Sequence, residues 1–427
     1  MHQRMIEIAW RLGKRQLLLL LLFSVGSSVC SALPVDELSA RQSASQFLNQ
    51  LYQHGRRASK VETGQLRLAY TAEMDSRPLF YVFNTSDDEG FVLVAADDCA
   101  APVLGYSDNG SFDYGRIHDG LKGLLKSYEK QITCAVASGA GEYRQATPKD
   151  DRLDVGPLIL THWDQRAPYN ALCPLYQGNS TLTGCVATAT AQLMYYHQWP
   201  KQGRGHLAYV WKGKKLSVDF SQAHFEYEKM RLEYRANTPD EDQAVATLMY
   251  YNALAAEADF GINITYGYFD TQKLHLYFGY KNQMGWLDMD YSTPEAFDEV
   301  LFDNLERGLP VLYRAEDPSV WAHVFLVDGY RVDGYYHMNL GWGGYADGYY
   351  LLNVVNTPSA NLRTGQMMVY NIEPEDEQDG VVTQYFQSDT VSDGVFTMLG
   401  QRCAHADALD RLPSGIYIIG GRKVMKR

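Results

Sequence analysis

The stretch Thr183-Gly184-Cys185-Val186-Ala187-Thr188-Ala189-Thr190-Ala191-Gln192 contains a cysteine that directly follows a glycine and opens a run of small, helix-compatible residues. This pattern predicts a thiol at the N-terminus of a helix, where unpaired backbone N–H groups and the positive end of the helix dipole favour the thiolate. The thiolate is the form that attacks carbonyl carbon atoms, so Cys185 is a candidate nucleophile. The alternative, commoner for an arbitrary cysteine, is a small buried side chain that packs among alanines.

A cysteine nucleophile needs a base, a group that orients the base, and donors for the oxyanion. His323 opens an apolar segment 138 residues after Cys185, a separation typical of sites that the fold assembles. The side-chain amide of Asn339 could hold the imidazole, and Trp342 could shield that contact from water. Upstream, the amide of Gln165 could donate to the oxyanion.

Composition limits the possible classes of function. The chain has 427 residues, enough for two or three domains, and 46% of them are hydrophobic, which excludes wholesale disorder. A formal net charge of −13 argues against a nucleic-acid partner. The six cysteines include no CxxC pair and do not read as a disulfide framework, so a structural zinc site is not expected, and neither is any other metal or cofactor.

Residues 1–32 predict an export signal. Basic residues precede a short apolar core at Leu17–Phe23, and small residues follow it up to Ala32, after which cleavage is expected. The apolar core is too short to span a bilayer, and no later segment approaches a membrane span. We therefore expect a secreted or cell-surface protein without stable membrane insertion.

Residues 33–150 predict a small α+β unit. Its periodicity indicates a helix over 40–52, strands over 66–70, 79–84 and 91–96, and a second helix over 121–134. The segment from Ser138 through Asp154 is polar and rich in glycine and charged residues. Such a segment predicts an exposed linker of the kind that proteases cut.

Residues 151–374 predict a second unit that contains the cysteine. Helices are expected over 185–196 and 243–258, followed by strands over 310–313, 323–328, 335–339 and 348–352. Asp328-Gly329 is interpreted as a turn. A helix that carries the nucleophile and a sheet that carries the base would meet across a cleft. Residues 375–427 predict a linker and a small β element that ends in a strand-like run.

These motifs resemble the streptopain family of papain-like cysteine proteases. The family's segments are matched by Trp163-Asp164-Gln165, Pro168-Tyr169-Asn170, Gly184–Gln192, Tyr196–Pro200, His323–Tyr330 and His337–Gly344. The resemblance implies an α+β, papain-like, two-lobed protease domain, with Cys185 on a helical lobe and His323 on a β-rich lobe. It also implies that Cys185 is the nucleophile, His323 the general base and acid, and Gln165 an oxyanion donor.

The flanking segments resemble two further modules. Gly90–Asp98 and Pro102–Ser107 are similar to the family's inhibitory pro-domain, which implies that the first unit blocks the cleft until the linker is cut. Leu412–Tyr417 and Gly420–Val424 are similar to type IX secretion sorting domains, which implies secretion machinery as a partner. Protein or peptide substrates and the chain's own pro-domain are the other expected partners.

The sequence departs from the family at Leu340, which replaces the first tryptophan of an Asn-Trp-Gly-Trp segment and removes an indole beside the imidazole. Ala322, where relatives often have glycine, and Trp321 are candidate substrate-binding residues. The favoured hypothesis is a secreted cysteine endopeptidase made as a zymogen. Because of Leu340, a non-catalytic surface adhesin or inhibitor on a decayed protease domain stays open. So does a cell-wall amidopeptidase with the same Cys–His chemistry.

Overall fold

The structure is a computed structural model that describes residues 32–85, 88–145, 152–234, 239–317, 320–356 and 364–375, together with four strands of the C-terminal tail. The expected export signal lies outside the described residues, apart from its last residue, Ala32. No helix in these described ranges is both long and apolar enough to cross a membrane.

The N-terminal unit is an antiparallel sheet covered on both faces by helices. Its elements are α1 (Glu37–Gln53), β1 (Arg67–Met74), β2 (Arg77–Asn84), β3 (Phe91–Ala95), β4 (Val103–Ser107) and α2 (Asp119–Ala137). Phe83 and Val92 pack in the cluster that contains α1, whereas Phe80 and Leu93 pack in the cluster that contains α2. Because both faces are covered, β3 and β4 are buried along their whole length.

The second unit combines helices with a sheet. Its elements are α3 (Cys185–His197), β5 (His206–Trp211), β6 (Lys214–Asp219), α4 (Pro239–Ala255), α5 (Thr271–Phe278), β7 (Gly285–Asp288), α6 (Pro294–Glu306), β8 (Val311–Asp317), β9 (Val320–Tyr330), β10 (Tyr336–Asn339), β11 (Gly348–Tyr350) and β12 (Gln366–Tyr370). α3 packs against α4 on one side and against β9 on the other, which brings the cysteine helix to the histidine strand.

One ten-stranded sheet runs through both units, in the order β1-β2-β3-β4-β11-β10-β9-β8-β12-β7. The joint is the antiparallel pair of β4 with β11, where Gly105 lies opposite Tyr350 and Ser107 lies opposite Gly348. Arg331 supports the joint, because its guanidinium donates to the hydroxyl of Tyr106 at 2.7 Å. The pro-domain is therefore bonded edge to edge with the unit that holds the cysteine and the histidine.

The sequence patterns located most of the predicted elements, with shifted ends. They missed β4, β7, β12, α5 and α6. The interpretation of Asp328-Gly329 as a turn was wrong, since both residues lie inside β9. Asp328 is buried there, accepting hydrogen bonds from the backbone N–H of Ile159 at 2.8 Å and from His337 Nδ1 at 2.6 Å. A carboxylate that is this well bonded can be buried in a strand.

The described part of the tail forms a separate four-stranded antiparallel sheet. Its strands are β13 (Gly394–Thr397), β14 (Arg402–His405), β15 (Gly415–Ile419) and β16 (Arg422–Lys426), in the order β14-β13-β15-β16. The single strand-like run expected at the end of the chain is thus a hairpin of β15 and β16.

The close approach of β4 to β11 requires glycine at position 105. A Cβ at Gly105 would lie 2.4 Å from Tyr350 Cδ1 and 3.0 Å from the carbonyl oxygen of Tyr349. We expect Gly105→Ala to lower the free energy of unfolding of the full chain by about 1–3 kcal/mol, because overpacking must push the two strands apart. Urea unfolding in a Cys185→Ala background measures this loss without thiol chemistry.

Gly64→Ala is the matched control, since an added Cβ there meets no atom within 4 Å. Equal urea midpoints for the Gly105→Ala and Gly64→Ala proteins would contradict the tight joint between β4 and β11.

Candidate active site

Cys185 is the first residue of α3, as the sequence predicted. Gly184 precedes it with a φ of 92°, a conformation that side chains with a Cβ rarely adopt. A Cβ at Gly184 would also lie 3.0 Å from Thr265 Cγ2 and 3.3 Å from the Thr265 carbonyl oxygen. The glycine therefore lets the chain turn sharply into the helix, and the thiol is placed at the helix N-terminus.

A cleft of about 440 Å³ lies in front of this thiol. Five of the seven predicted site residues line it, namely Cys185, His323, Gln165, Trp342 and Ala322. The side chain of Trp321 lies outside the described residues. The cleft thus brings together side chains from the segment before α3, from α3 itself, from β9 and from the loop after β10.

Asn339 lies behind the cleft and joins β10 to α3. Its side-chain amide donates to the carbonyl oxygen of Thr161 at 2.8 Å. Its side-chain oxygen accepts from Gln192 Nε2 at 2.9 Å and from the N–H of Gly341 at 3.2 Å. In this state the bonds of Asn339 go to these groups, so its expected role in holding the imidazole stays a prediction.

A second imidazole, that of His118, lies against His323. The two ring centroids are 3.7 Å apart, and the His118 ring also lies 5.2 Å from Trp342. His118 caps α2, because the N–H of Gly120 donates to its Nδ1 at 2.9 Å, while its Nε2 donates to the carbonyl oxygen of Leu340 at 2.8 Å. Only the neutral ring with its proton on Nε2 makes both bonds.

The carbonyl oxygen of Leu340 is shared. His323 Nε2 donates to it at 3.3 Å, beside the bond from His118. The N–H of Leu340 donates to Asp347 Oδ1 at 2.7 Å, which holds this peptide group in place. What position 340 supplies to the imidazole is therefore a main-chain oxygen, which any residue type provides. The leucine side chain itself is buried in the core.

The charges needed for thiol chemistry are suppressed in this state. Burial raises the pKa of Cys185, although hydrogen bonds from the backbone N–H groups of Val324 and Val186 act in the opposite direction. Burial, followed by the neighbouring His118, lowers the pKa of His323 well below its usual range. The helix N-terminus favours the thiolate as expected, but desolvation outweighs it. Thiol and imidazole are both neutral, so the site is latent.

Trp342 forms the wall beside the two histidines. Its indole N–H is buried and has no hydrogen-bond partner among the described residues. The guanidinium carbon of Arg166 lies 5.0 Å from the ring centroid, a cation–π contact on the exposed side of the cleft. The predicted shielding role of Trp342 fits this position between the His118 ring and solvent.

Sequence reasoning missed His118. The residue lies three positions before the predicted start of the helix over 121–134, and directly before Asp119, a pattern that indicates a helix start. Its distance of 205 residues from His323 gives no sign that the two rings touch. Only the packing of α2 against β8 and β9 brings them together.

Comparison with known proteins gives matches to both units. The profile described as "Peptidase C10 family" matches residues 163–350, and the profile described as "Spi protease inhibitor" matches residues 32–132. Streptopain from Streptococcus pyogenes is 30% identical over 311 residues, which cover 67% of this chain and 76% of streptopain.

The thiol protease/hemagglutinin PrtT from Porphyromonas gingivalis is 32% identical over 378 residues, 82% of this chain. The match spans only 43% of the length of PrtT. A solved fragment of prointerpain A from Prevotella intermedia superposes with a TM-score of 0.62 at 30% identity, covering 73% of this chain and all of the fragment.

These matches confirm three predictions. The fold is the mixed helix-and-sheet architecture of papain-like proteases with a preceding pro-domain. The chemistry is that of a cysteine-type endopeptidase, and the first unit corresponds to an inhibitory pro-domain. The matched residues end before the C-terminal tail, so its sorting role stays a prediction.

We expect acid to loosen the pro-domain. Burial lowers the pKa of His118 to about 4, so the undocked ring takes up a proton first and the docked state loses stability as the pH falls from about 6.5 towards 4. Protonation of Nδ1 also removes the acceptor for Gly120 and puts a positive charge at a helix N-terminus. The full loss is roughly 2–4 kcal/mol. Urea midpoints of the Cys185→Ala chain between pH 7 and pH 4.5 measure it.

His118→Asn should flatten this pH dependence, because asparagine also caps helices but does not titrate. A residual slope from His323 is expected in that variant. His224→Asn is the control, since His224 is exposed and far along the chain from the cleft. Equal pH slopes for the His118→Asn and His224→Asn chains would contradict this role of His118.

Proposed function

The chain belongs to the Peptidase C10 family, and from this premise we propose that it is the zymogen of an exported cysteine endopeptidase that hydrolyses protein or peptide substrates. The observation that carries the proposal is the composition of the cleft, where Cys185, His323 and Gln165 converge and the pro-domain ring of His118 covers the histidine. Such a site is complete but silent. Removal of the pro-domain turns it on.

Release of His118 changes the protonation of the pair. Without the second ring, and with water admitted to the cleft, the pKa of His323 rises and the pKa of Cys185 falls. The proton of the thiol then passes to His323, which leaves a thiolate beside an imidazolium. The N–H groups at the start of α3 favour the thiolate further.

The thiolate attacks the carbonyl carbon of the scissile peptide and forms a C–S bond. The Gln165 amide and the Cys185 N–H donate to the resulting oxyanion. As the C–N bond breaks, the His323 imidazolium donates its proton to the leaving amine. Water then attacks the thioester while His323 accepts a proton from it. The C–S bond breaks, the carboxylic product leaves, and the thiol is restored.

Two further residues of the motif act as positioning residues in this proposal. Asn339 is bonded to α3 through Gln192 and lies next to Leu340, so a small shift of His323 after release of His118 brings the imidazole within reach of its amide. Trp342, which packs on the His118 ring in the zymogen, shields that contact from water.

The maturation cut is proposed to fall between Arg144 and Arg152. Arg144 is bonded to Asn356 by two hydrogen bonds of 2.6 and 2.9 Å. The buried guanidinium of Arg152 donates to Asp298 at 2.7 Å and to Glu299 at 2.8 Å on α6. Because Arg152 is anchored to the protease unit, it remains with the mature enzyme, in agreement with a boundary near residue 151.

Export completes the proposal. Residues 1–32 direct the chain out of the cytoplasm, and residues 375–427 present a sorting-like β element to secretion machinery. The apolar core and small-residue ending of the N-terminal segment and the similarity of the tail to type IX sorting domains support these assignments.

Cys185→Ala should abolish peptide hydrolysis and self-maturation, because no other group supplies the nucleophile. Mass spectrometry of the wild-type product should place the new N-terminus between Arg144 and Arg152. Cys134→Ala, which changes an exposed cysteine of the pro-domain, is the control. Maturation of the purified Cys185→Ala chain at the wild-type rate would assign processing to another protease.

A thiol-reactive epoxide inhibitor separates the alternatives. The matured chain should be labelled at Cys185 and should cleave casein rather than peptidoglycan. An unlabelled Cys185 after removal of the pro-domain would favour the non-catalytic adhesin or inhibitor. Cleavage of peptidoglycan alone would favour the amidopeptidase.

Gln165→Ala should reduce kcat of the mature enzyme by about 10²–10³, the usual effect of removing one oxyanion donor. Labelling of Cys185 by the epoxide should persist, since the thiolate does not depend on the amide. Gln222→Ala, an exposed glutamine, is the control. An unchanged kcat in Gln165→Ala would remove Gln165 from the catalytic machinery.

A further inference from the structure

One charged side chain of the protease unit faces the cleft. Among the described residues that line it, Asp119 and Arg314 carry formal charges. Asp119 belongs to the pro-domain and lies 3.5 Å from Lys122 on the same helix. When the pro-domain leaves, Asp119 leaves with it. The cleft that remains has a single cationic group, although the whole chain has a net charge of −13.

Arg314 is held close to the nucleophile by the sheet. It lies on β8 opposite Val324 of β9, and opposite Met367 of β12 on its other side. Cross-strand partners point to the same face of a sheet, so these three side chains form one row on the cleft side. Val324 is also the residue whose backbone N–H bonds to the Cys185 sulfur. The guanidinium is therefore one strand away from the reacting atoms.

The walls around this row are apolar. Val186, Phe269, Trp286 and Met367 line the same cleft. Such a pocket, apolar along its sides and cationic at one point, fits a side chain with a short hydrocarbon stem and a terminal carboxylate. A guanidinium recognises a carboxylate through paired N–H donors, which a neutral amide matches poorly.

Glu316 already binds one nitrogen of Arg314, through Nη2. Glu316 does not line the cleft, and it lies two residues farther along β8 with its side chain 44% exposed. The guanidinium has five N–H donors, so this single pair leaves donors for a second carboxylate. Glu316 then tunes the site, because its negative charge competes with that of a bound acid.

We propose that Arg314 is a specificity-determining residue that selects substrates with an aspartate or glutamate side chain in the pocket beside Cys185. The inference rests on the proposed function, since it concerns the substrate of that same cleft. It follows that removing Arg314 lowers acid selectivity and removing the charge of Glu316 raises it, two changes of opposite sign at neighbouring positions.

The test uses the matured enzyme and a library of fluorogenic tetrapeptides in which Glu and Gln are compared at each position before the scissile bond. At one position the ratio of kcat/KM for Glu over Gln should be about 10 or more, as expected for a charge-assisted hydrogen bond. Arg314→Gln should bring that ratio to about 1, and Glu316→Gln should raise it several-fold. High salt should lower the wild-type ratio.

Arg204→Gln is the matched control, because Arg204 is exposed and pairs with Glu375 away from the cleft residues. A ratio of 1 or less at every position, or a ratio unchanged in Arg314→Gln, overturns the inference while cleavage of the neutral peptides upholds the proposed function. If no peptide is cleaved and the epoxide does not label Cys185, the proposed function itself has failed.

Discussion

The carbonyl oxygen of Leu340 accepts hydrogen bonds from two imidazoles, His118 Nε2 at 2.8 Å and His323 Nε2 at 3.3 Å. Both rings must be neutral for this arrangement, because two imidazolium ions 3.7 Å apart would repel each other. The oxygen is held by the bond from the Leu340 N–H to the buried Asp347. Latency of the site, the fit of the pro-domain and the state of the nucleophile all depend on this shared oxygen.

The pro-domain controls chemistry by desolvation rather than by removing any catalytic group. Cys185 and His323 keep their places on α3 and β9, and the cleft in front of them stays open enough to hold about 440 Å³. What changes is the free energy of their charged forms. Burial penalises both thiolate and imidazolium, so the proton stays on sulfur until the covering ring is withdrawn.

Attachment of the pro-domain is stronger than contact through one side chain. β4 extends the protease sheet through β11, and Gly105 and Gly348 allow the two backbones to approach closely. The packing of α2 on β8 and β9 then places His118 at the histidine strand. The edge that β4 occupies becomes free when the pro-domain leaves, and an edge strand beside a peptide-cleaving site is a natural place for extended chains to bind.

The sequence by itself determined the identity of the nucleophile and its base, because Gly184-Cys185 and His323 lie in long local motifs whose helical and strand periodicity is set by neighbouring residues. It also located the helices over 37–53 and 119–137 within a few residues. Only the tertiary structure decided that His118 covers His323, that Asp328 is buried in β9 and that Arg314 faces the cleft. Each of these depends on residues far apart in the chain that strand pairing and helix packing bring together, and local pattern contains no information about such pairings.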